Sequence, residues 1–319
     1  MTVRPRSAGR RALIPTLLSV TLIAAACGSD GESSDAESGS DSSGGSDGGT
    51  LTIGAIPDQD PEILQRTYDL LGDFLEEELD VEVEYVPVTE YQAAVTGFAV
   101  GDLDLAWFGA VTGVQARLEV EGAEAIAQRD IDEQFTSVFI ARTDSGIEPV
   151  ADVAGLSVVA GRSLTFGSES STSGRLMQPT FLDDAGVSIE GLAGEPGVSG
   201  SHDATIEVVS AGAFEVGALS SEVWDARVES GDVDTDEVIE IFRTPQYVNY
   251  HWVAQPDLDE RLGDGFTADV VEALMSLDPE DPDDAAILDL FTAGGFIPTE
   301  SENYDAIESV ARDIDLIRS

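Results

Sequence analysis

Between Leu51 and Phe108 the chain reads LTIGAIPDQDPEILQRTYDLLGDFLEEELDVEVEYVPVTEYQAAVTGFAVGDLDLAWF. Leu51 to Ile56 is a β-rich run that stops at Pro57. Leu64, Tyr68, Leu71, Leu75 and Leu79 then fall on one face of a helix. Val81-Glu-Val-Glu-Tyr85 alternates strictly, as a half-buried strand does, and Tyr91, Val95 and Phe98 mark a second helix before a strand at Leu103 to Phe108. Strands alternating with helices predict an α/β body with a mainly parallel sheet covered by helices.

A second set begins near Ile147. Strands are expected at Leu156 to Val159 and at Glu215 to Leu219, with helices near 174–184, 203–211 and 221–229. Two β-rich segments flank this set: Phe135 to Arg142, and Ile239 to Ala254 with Pro245 breaking it. The remainder is helical, carried by Val270, Val271, Leu274 and Met275 and by Tyr304, Ile307, Val310, Ile314 and Ile317. The natural assembly is a lobe inserted between two crossing segments, after which the chain returns to the first lobe.

The N-terminus reads as a targeting segment. Arg4, Arg6, Arg10 and Arg11 precede an apolar stretch, Ala12 to Ala26, that is too short to span a bilayer. Small residues, Ala24-Ala25-Ala26, run directly into Cys27, the only cysteine of the chain. The arrangement resembles a bacterial lipoprotein signal, with residues 1–26 removed and lipid on the Cys27 thiol; the bland alternative is an ordinary secretory signal. No disulfide can form within one chain, so the fold must rest on its core. Residues 27–50 are built almost wholly from Gly, Ser, Asp and Glu and read as a disordered tether.

All 15 basic residues are Arg, against 63 acids, for a formal net charge of −48. A field this negative excludes nucleic acid and anionic membrane surfaces as electrostatic partners. It also means that any anionic ligand must be held by local dipoles. Phe166-Gly-Ser-Glu-Ser170-Ser171-Thr172-Ser173-Gly174 supplies a candidate. A run of hydroxyl residues and a glycine opening a helical segment present free backbone N–H groups, a positive dipole end and neutral donors to an oxyanion. One Ser or Thr would suffice for a helix cap; this run exceeds that need.

Val88-Thr-Glu-Tyr91, Asp104-Leu-Ala-Trp-Phe108-Gly, Ser170-Ser-Thr-Ser-Gly174, Gly200-Ser-His-Asp203 and Gly217-Ala-Leu-Ser-Ser-Glu-Val-Trp224 occur in that order. Together they resemble the phosphonate/phosphate/phosphite-binding proteins of ABC importers, over essentially all of 51–319. The resemblance implies a type II periplasmic-binding-protein fold of two α/β lobes joined by two crossing segments. Residues 51–138 and 246–319 would form lobe 1 and residues 139–245 lobe 2. It further implies that Ser171, Thr172 and Ser173 grip the oxyanion, with His202 reaching the same oxygens and Tyr91 and Phe108 on the facing lobe. Ser170, Asp203 and Tyr250 complete the expected ligand set. Phe108 stands where relatives often have Tyr, and Tyr247-Val-Asn-Tyr250-His251 stands where relatives have an acidic residue. With short hydroxyls at Ser220-Ser221, these departures favour a compact ligand with little polar tail.

The expected protein is a monomeric, lipid-anchored receptor on the outer face of the cell membrane that delivers a small oxyanion to an ABC permease. It touches the membrane through its lipid only and uses no cofactor, metal or catalytic residue. The alternatives are a receptor of the same fold for sulfate or a carboxylate, for which Arg162 or Arg175 would be the cleft cation, and a secreted phosphoester hydrolase. Against the hydrolase, Ser201-His202-Asp203 are sequence neighbours that cannot align as a triad. His251 is the only other histidine, too few for a metal set, and the acidic run Asp278 to Asp284 lacks the glycine of a calcium loop.

Overall fold

The computed structural model describes residues 49–314, 316 and 317. The signal, Cys27 and all but the last two tether residues lie outside them. The first lobe opens with β1 (Thr50–Ala55), α1 (Pro61–Leu79), β2 (Glu82–Tyr85), α2 (Tyr91–Ala99), β3 (Leu105–Phe108), α3 (Ala110–Glu119) and β4 (Glu124–Arg129). Pro61 starts α1 where a missing N–H costs nothing, and Asp80 ends it in the left-handed region. Leu64, Tyr68, Leu71 and Leu75 are buried on one face, as their spacing requires.

The second lobe holds β5 (Ser137–Arg142), β6 (Leu164–Phe166), α4 (Gln178–Asp184), β7 (Gly197–Val198), α5 (His202–Ser210), β8 (Val216–Ser220), α6 (Ser221–Ser230) and β9 (Val238–Arg243). The chain then returns through β10 (His251–Ala254), α7 (Leu258–Leu262), α8 (Phe266–Ser276), α9 (Pro282–Phe291), β11 (Phe296–Pro298) and α10 (Asp305–Asp313). One sheet runs β11-β4-β10-β3-β1-β2 and the other β7-β6-β8-β5-β9. The two segments that cross between sheets pair with each other: Phe135 and Tyr247 exchange both backbone hydrogen bonds, each 2.9 Å.

Three expectations change. The first sheet is parallel across β1, β2 and β3, but β10 inserts antiparallel between β3 and β4, and β11 is also antiparallel. A chain re-entering from the other lobe runs against the strands it left behind. Leu156 to Val159 is not a strand but part of a 3₁₀ helix, Val153–Val159, capped by Asp152, which accepts from Gly155 N–H at 3.0 Å. Leu156 and Val159 are buried while Ser157 and Val158 face solvent. That spacing is helical, and a four-residue stretch with three apolar positions cannot reveal it alone. The strand next to it is β6. α10 ends before Ile314, short of the extent that the apolar repeat suggests.

The first core gathers Leu51, Ile53, Leu71, Phe98 and Trp252, and the second gathers Phe139, Leu156, Phe166, Val216 and Phe242. Between them lies a polar seam.

Candidate functional site

The seam is built from helix starts. After β6 the chain turns through Ser171 into a π-helical turn, Thr172–Leu176, and then α4. Such wide turns expose more backbone N–H than an α-turn and cluster at functional sites. Ser171 Oγ accepts from Gly174 N–H at 3.0 Å. A Cβ at Gly174 would lie 3.0 Å from Ser171 Oγ and 3.3 Å from the Gly167 backbone, so a side chain there would press on the cap and on the backbone after β6. Ser137 Oγ donates to Ser173 O at 2.8 Å, and Gln178 Nε2 donates to it as well, so the turn is held from behind. Ser171, Thr172 and Ser173 are all buried in the seam.

Facing the turn is His202, the first residue of α5, fully buried. Ser220 N–H donates to its Nδ1 at 3.3 Å. That nitrogen must then be the acceptor, so the proton sits on Nε2. Nε2 lies 3.2 Å from Tyr250 Oη and 3.4 Å from Ser173 Oγ. Burial pushes the imidazole down to about 4, against a small opposing pull from Asp203. His202 is therefore a neutral N–H donor at physiological pH.

The first lobe adds more donors. Val111 N–H, at the start of α3, donates to Thr172 Oγ1 at 2.9 Å, and Ala110 N–H donates to Asn249 Oδ1 at 3.2 Å. The Asn249 amide nitrogen and the Tyr91 hydroxyl are buried without a hydrogen-bond partner among the described residues. Buried donors are rarely left so. Asp58, at the end of the β1–α1 turn, is also buried; its carbonyl accepts from His202 N–H at 3.0 Å, and its carboxyl is hydrogen-bonded by Tyr250. Burial, and then Glu222, push that carboxyl up to about 7.

Behind Tyr250 sits a separate charged group. Arg129, at the end of β4, donates from Nε and Nη2 to Asp132 at 2.7 and 2.9 Å and from Nη1 to Phe291 O at 2.7 Å. Its Nη2 lies 2.5 Å from Glu222 Oε2 on α6 of the other lobe. The guanidinium is 4.8 Å from the Tyr250 ring, 5.4 Å from Trp107 and 5.9 Å from Phe135. Burial opposes its charge, but Asp132 and Glu222 outweigh burial and keep it protonated. Asp132 also accepts from Tyr250 N–H at 3.2 Å.

Of the residues expected from the sequence, Ser171, Thr172, Ser173, His202, Tyr91 and Tyr250 come together in the seam. Three do not join them. The Phe108 ring packs edge-on against Phe98 in the first core, so only the backbone after it reaches the site. Ser170 is half-buried, and its N–H donates to Ser168 Oγ at 3.4 Å. Asp203 is committed elsewhere: it holds Arg227 at 2.7 and 3.1 Å and accepts from Asp60 N–H at 2.8 Å. Of the two expected cleft cations, Arg162 pairs with Glu215 at 2.8 Å, whereas Arg175, on the turn itself, stacks on Phe166 at 4.6 Å and has a buried Nη1 with no hydrogen-bond partner among the described residues. Ser201 Oγ is an N-cap for Ala204. With Asp203 bound to Arg227, Ser201, His202 and Asp203 serve three different partners. Asp58, Asn249 and Arg129 escaped the sequence reading.

The family model described as "ABC transporter, phosphonate, periplasmic substrate-binding protein" matches residues 53–304. The chain is 46% identical over 269 residues to the probable ABC transporter phosphite binding protein PhnD1 of Prochlorococcus marinus, covering 84% of this chain and 91% of the relative. It is 26% identical over 307 residues to the phosphate-import protein PhnD of Mycolicibacterium smegmatis, covering 91% and 92%. The solved structure of the Prochlorococcus PhnD1 with methylphosphonate superimposes with a TM-score of 0.82 at 45% identity, covering 84% of this chain and 99% of that one. With its two α/β lobes of type II architecture and a buried seam of uncharged hydrogen-bond donors between them, the chain belongs to the phosphonate substrate-binding proteins of ABC importers.

Proposed function

We propose that this receptor captures a compact phosphorus oxyanion (phosphite, phosphate or methylphosphonate) in the seam, gripped by Ser171, Thr172, Ser173, His202 Nε2–H, Tyr91, Tyr250 and Asn249. The observation that carries the reading is the set of buried neutral donors, two of them without a hydrogen-bond partner among the described residues. Such donors suit an anion that the whole-chain charge would repel. The names of its relatives, which bind phosphite, phosphate and methylphosphonate, support the same class. Asp58 favours phosphorus over sulfur. A buried acid beside the anion can share the proton of a P–OH group, whereas sulfate carries none at neutral pH and would meet the carboxylate as a repelling charge.

The binding is mechanical. Hydrogen bonds from Val111 to Thr172, from Asp60 to Asp203 and from His202 to Asp58 bridge the lobes, so lobes 51–138 with 246–319 and 139–245 would open and close about the Phe135–Tyr247 bridge. One chain encloses the whole site, so a monomer suffices to dock on the permease. No chemistry is done on the ligand, because the triad-type residues have separate partners. Lipid on Cys27 would hold the receptor to the outer face of the membrane, and Cys27→Ala should release it into the medium.

Titration calorimetry against phosphite, phosphate, methylphosphonate, aminoethylphosphonate and sulfate tests the assignment. At least one of the first three should bind tenfold or more tighter than sulfate and aminoethylphosphonate. Preference for sulfate, or no binding of any phosphorus oxyanion, would refute it.

A further inference from the structure

We propose that Arg129 is a specificity-determining residue: its own guanidinium fills an ammonium cage beside the oxyanion seam and so closes the receptor to phosphonates with a cationic tail. The inference rests on the reading of the seam as a phosphorus-oxyanion site. Three rings, Trp107, Phe135 and Tyr250, face the guanidinium at 5.4, 5.9 and 4.8 Å, and two carboxylates, Asp132 and Glu222, meet its edge. Aromatic faces joined to carboxylates are the arrangement by which proteins recognise alkylammonium groups. Here the protein supplies the cation itself.

The cage adjoins the seam. The Tyr250 ring is the shared wall: one side contacts Arg129, and its hydroxyl reaches His202 Nε2. A small cavity on the α1 and α9 side of the cage is lined by Asp58, Tyr68, Trp107, Arg129, Glu222 and Phe291, so Asp58 borders both the cage and the seam. A two-carbon tail leaving a phosphonate held by His202 and Tyr250 would head for a space already occupied by positive charge. An ion pair serving only to join the lobes would need Asp132 and Glu222, but it would not need three rings around the cation.

The test compares two nearly isosteric ligands, n-propylphosphonate and 2-aminoethylphosphonate, each displacing bound methylphosphonate from the mature chain. In the native protein the ammonium should bring no advantage, so aminoethylphosphonate binds no tighter than propylphosphonate. In the double variant Arg129→Ala/Asp132→Asn the cage is emptied while Glu222 stays charged, and the introduced amide keeps an oxygen to accept Tyr250 N–H. The affinity ratio should then shift at least tenfold toward aminoethylphosphonate. Arg129→Lys, which keeps a cation in the cage, should leave the ratio as in the native protein. If the double variant does not fold, Arg129→Gln carries the same expected shift. An unmoved ratio in the charge-removing variants, or a native preference for aminoethylphosphonate, overturns the role of Arg129. Failure of the native protein to bind methylphosphonate, phosphite or phosphate would instead overturn the reading of the seam.

Discussion

On one side of the Tyr250 ring, Ser171, Thr172, Ser173, His202, Tyr91 and Asn249 offer uncharged donors, and two of these have no hydrogen-bond partner among the described residues. On the other side, Arg129, Asp132 and Glu222 form a buried group of opposite charges in contact. On the reading proposed above, the seam receives charge and the cage cancels it. Unpartnered neutral donors cost stability in the free protein and are repaid only by a ligand. A paired ionic group is complete without one, and only its disruption is costly. Substitutions on the two sides should therefore have opposite signatures.

The largest effect is expected in the cage. Arg129→Ala leaves two buried carboxylates unpaired, which should destabilise the fold by about 3–5 kcal/mol, read by denaturant titration. A loss below about 1 kcal/mol would mean that water or rearrangement neutralises the carboxylates and that the cage is not a closed ionic unit.

Next come the donors of the seam. Ser173→Ala and Tyr91→Phe should each weaken binding by about 1.5–3 kcal/mol, roughly tenfold to over a hundredfold. Tyr91→Phe should leave the ligand-free protein as stable as before, or slightly more so, because it deletes an unsatisfied buried hydroxyl. Ser171→Ala should lose affinity and also about 1 kcal/mol of stability, because Ser171 caps Gly174 N–H. Normal binding by all three would reduce the turn to a helix cap.

Asp58 sharpens the comparison through pH. Its carboxyl is raised from 3.8 to about 7 in the fold, so the native state holds the proton more tightly than the unfolded chain. Its contribution to stability is complete below about pH 4 and is lost as pH rises through 7. Asp58→Asn cannot ionise, so its stability relative to the native protein should increase between about pH 4 and 8. A constant difference across that range would place the carboxyl in contact with water. The smallest effect is global: with a net charge of −48, added salt should raise affinity for the anion by no more than a few-fold, as screening relieves repulsion.

The legible parts of this molecule were the local ones. α1 announces itself by its Leu and Tyr spacing, and the hydroxyl turn and His202 sit in short motifs whose chemistry is visible in the letters. What escaped was assembled over distance. Arg129 closes a plain strand, Glu-Ala-Ile-Ala-Gln-Arg, and acquires its role only when Glu222 arrives from the other lobe and Tyr250 from the returning segment. Asn249 matters because Ala110, 139 residues away, orients it. Asp203 shows the converse: next to His202 in sequence, its carboxylate is held by Arg227 and Asp60 N–H. Leu156 to Val159 misled because Leu-Ser-Val-Val fits a short strand and a helical turn equally well.

The central claim is that the anion is held by neutral donors, with His202 presenting Nε2–H. Nitrogen-15 NMR of the histidine rings at neutral pH, with saturating methylphosphonate or phosphite, tests it most directly. The account requires a neutral imidazole with the proton on Nε2 and an unprotonated Nδ1 facing Ser220 N–H. An imidazolium signature at His202 on binding, or a proton on Nδ1, would contradict it.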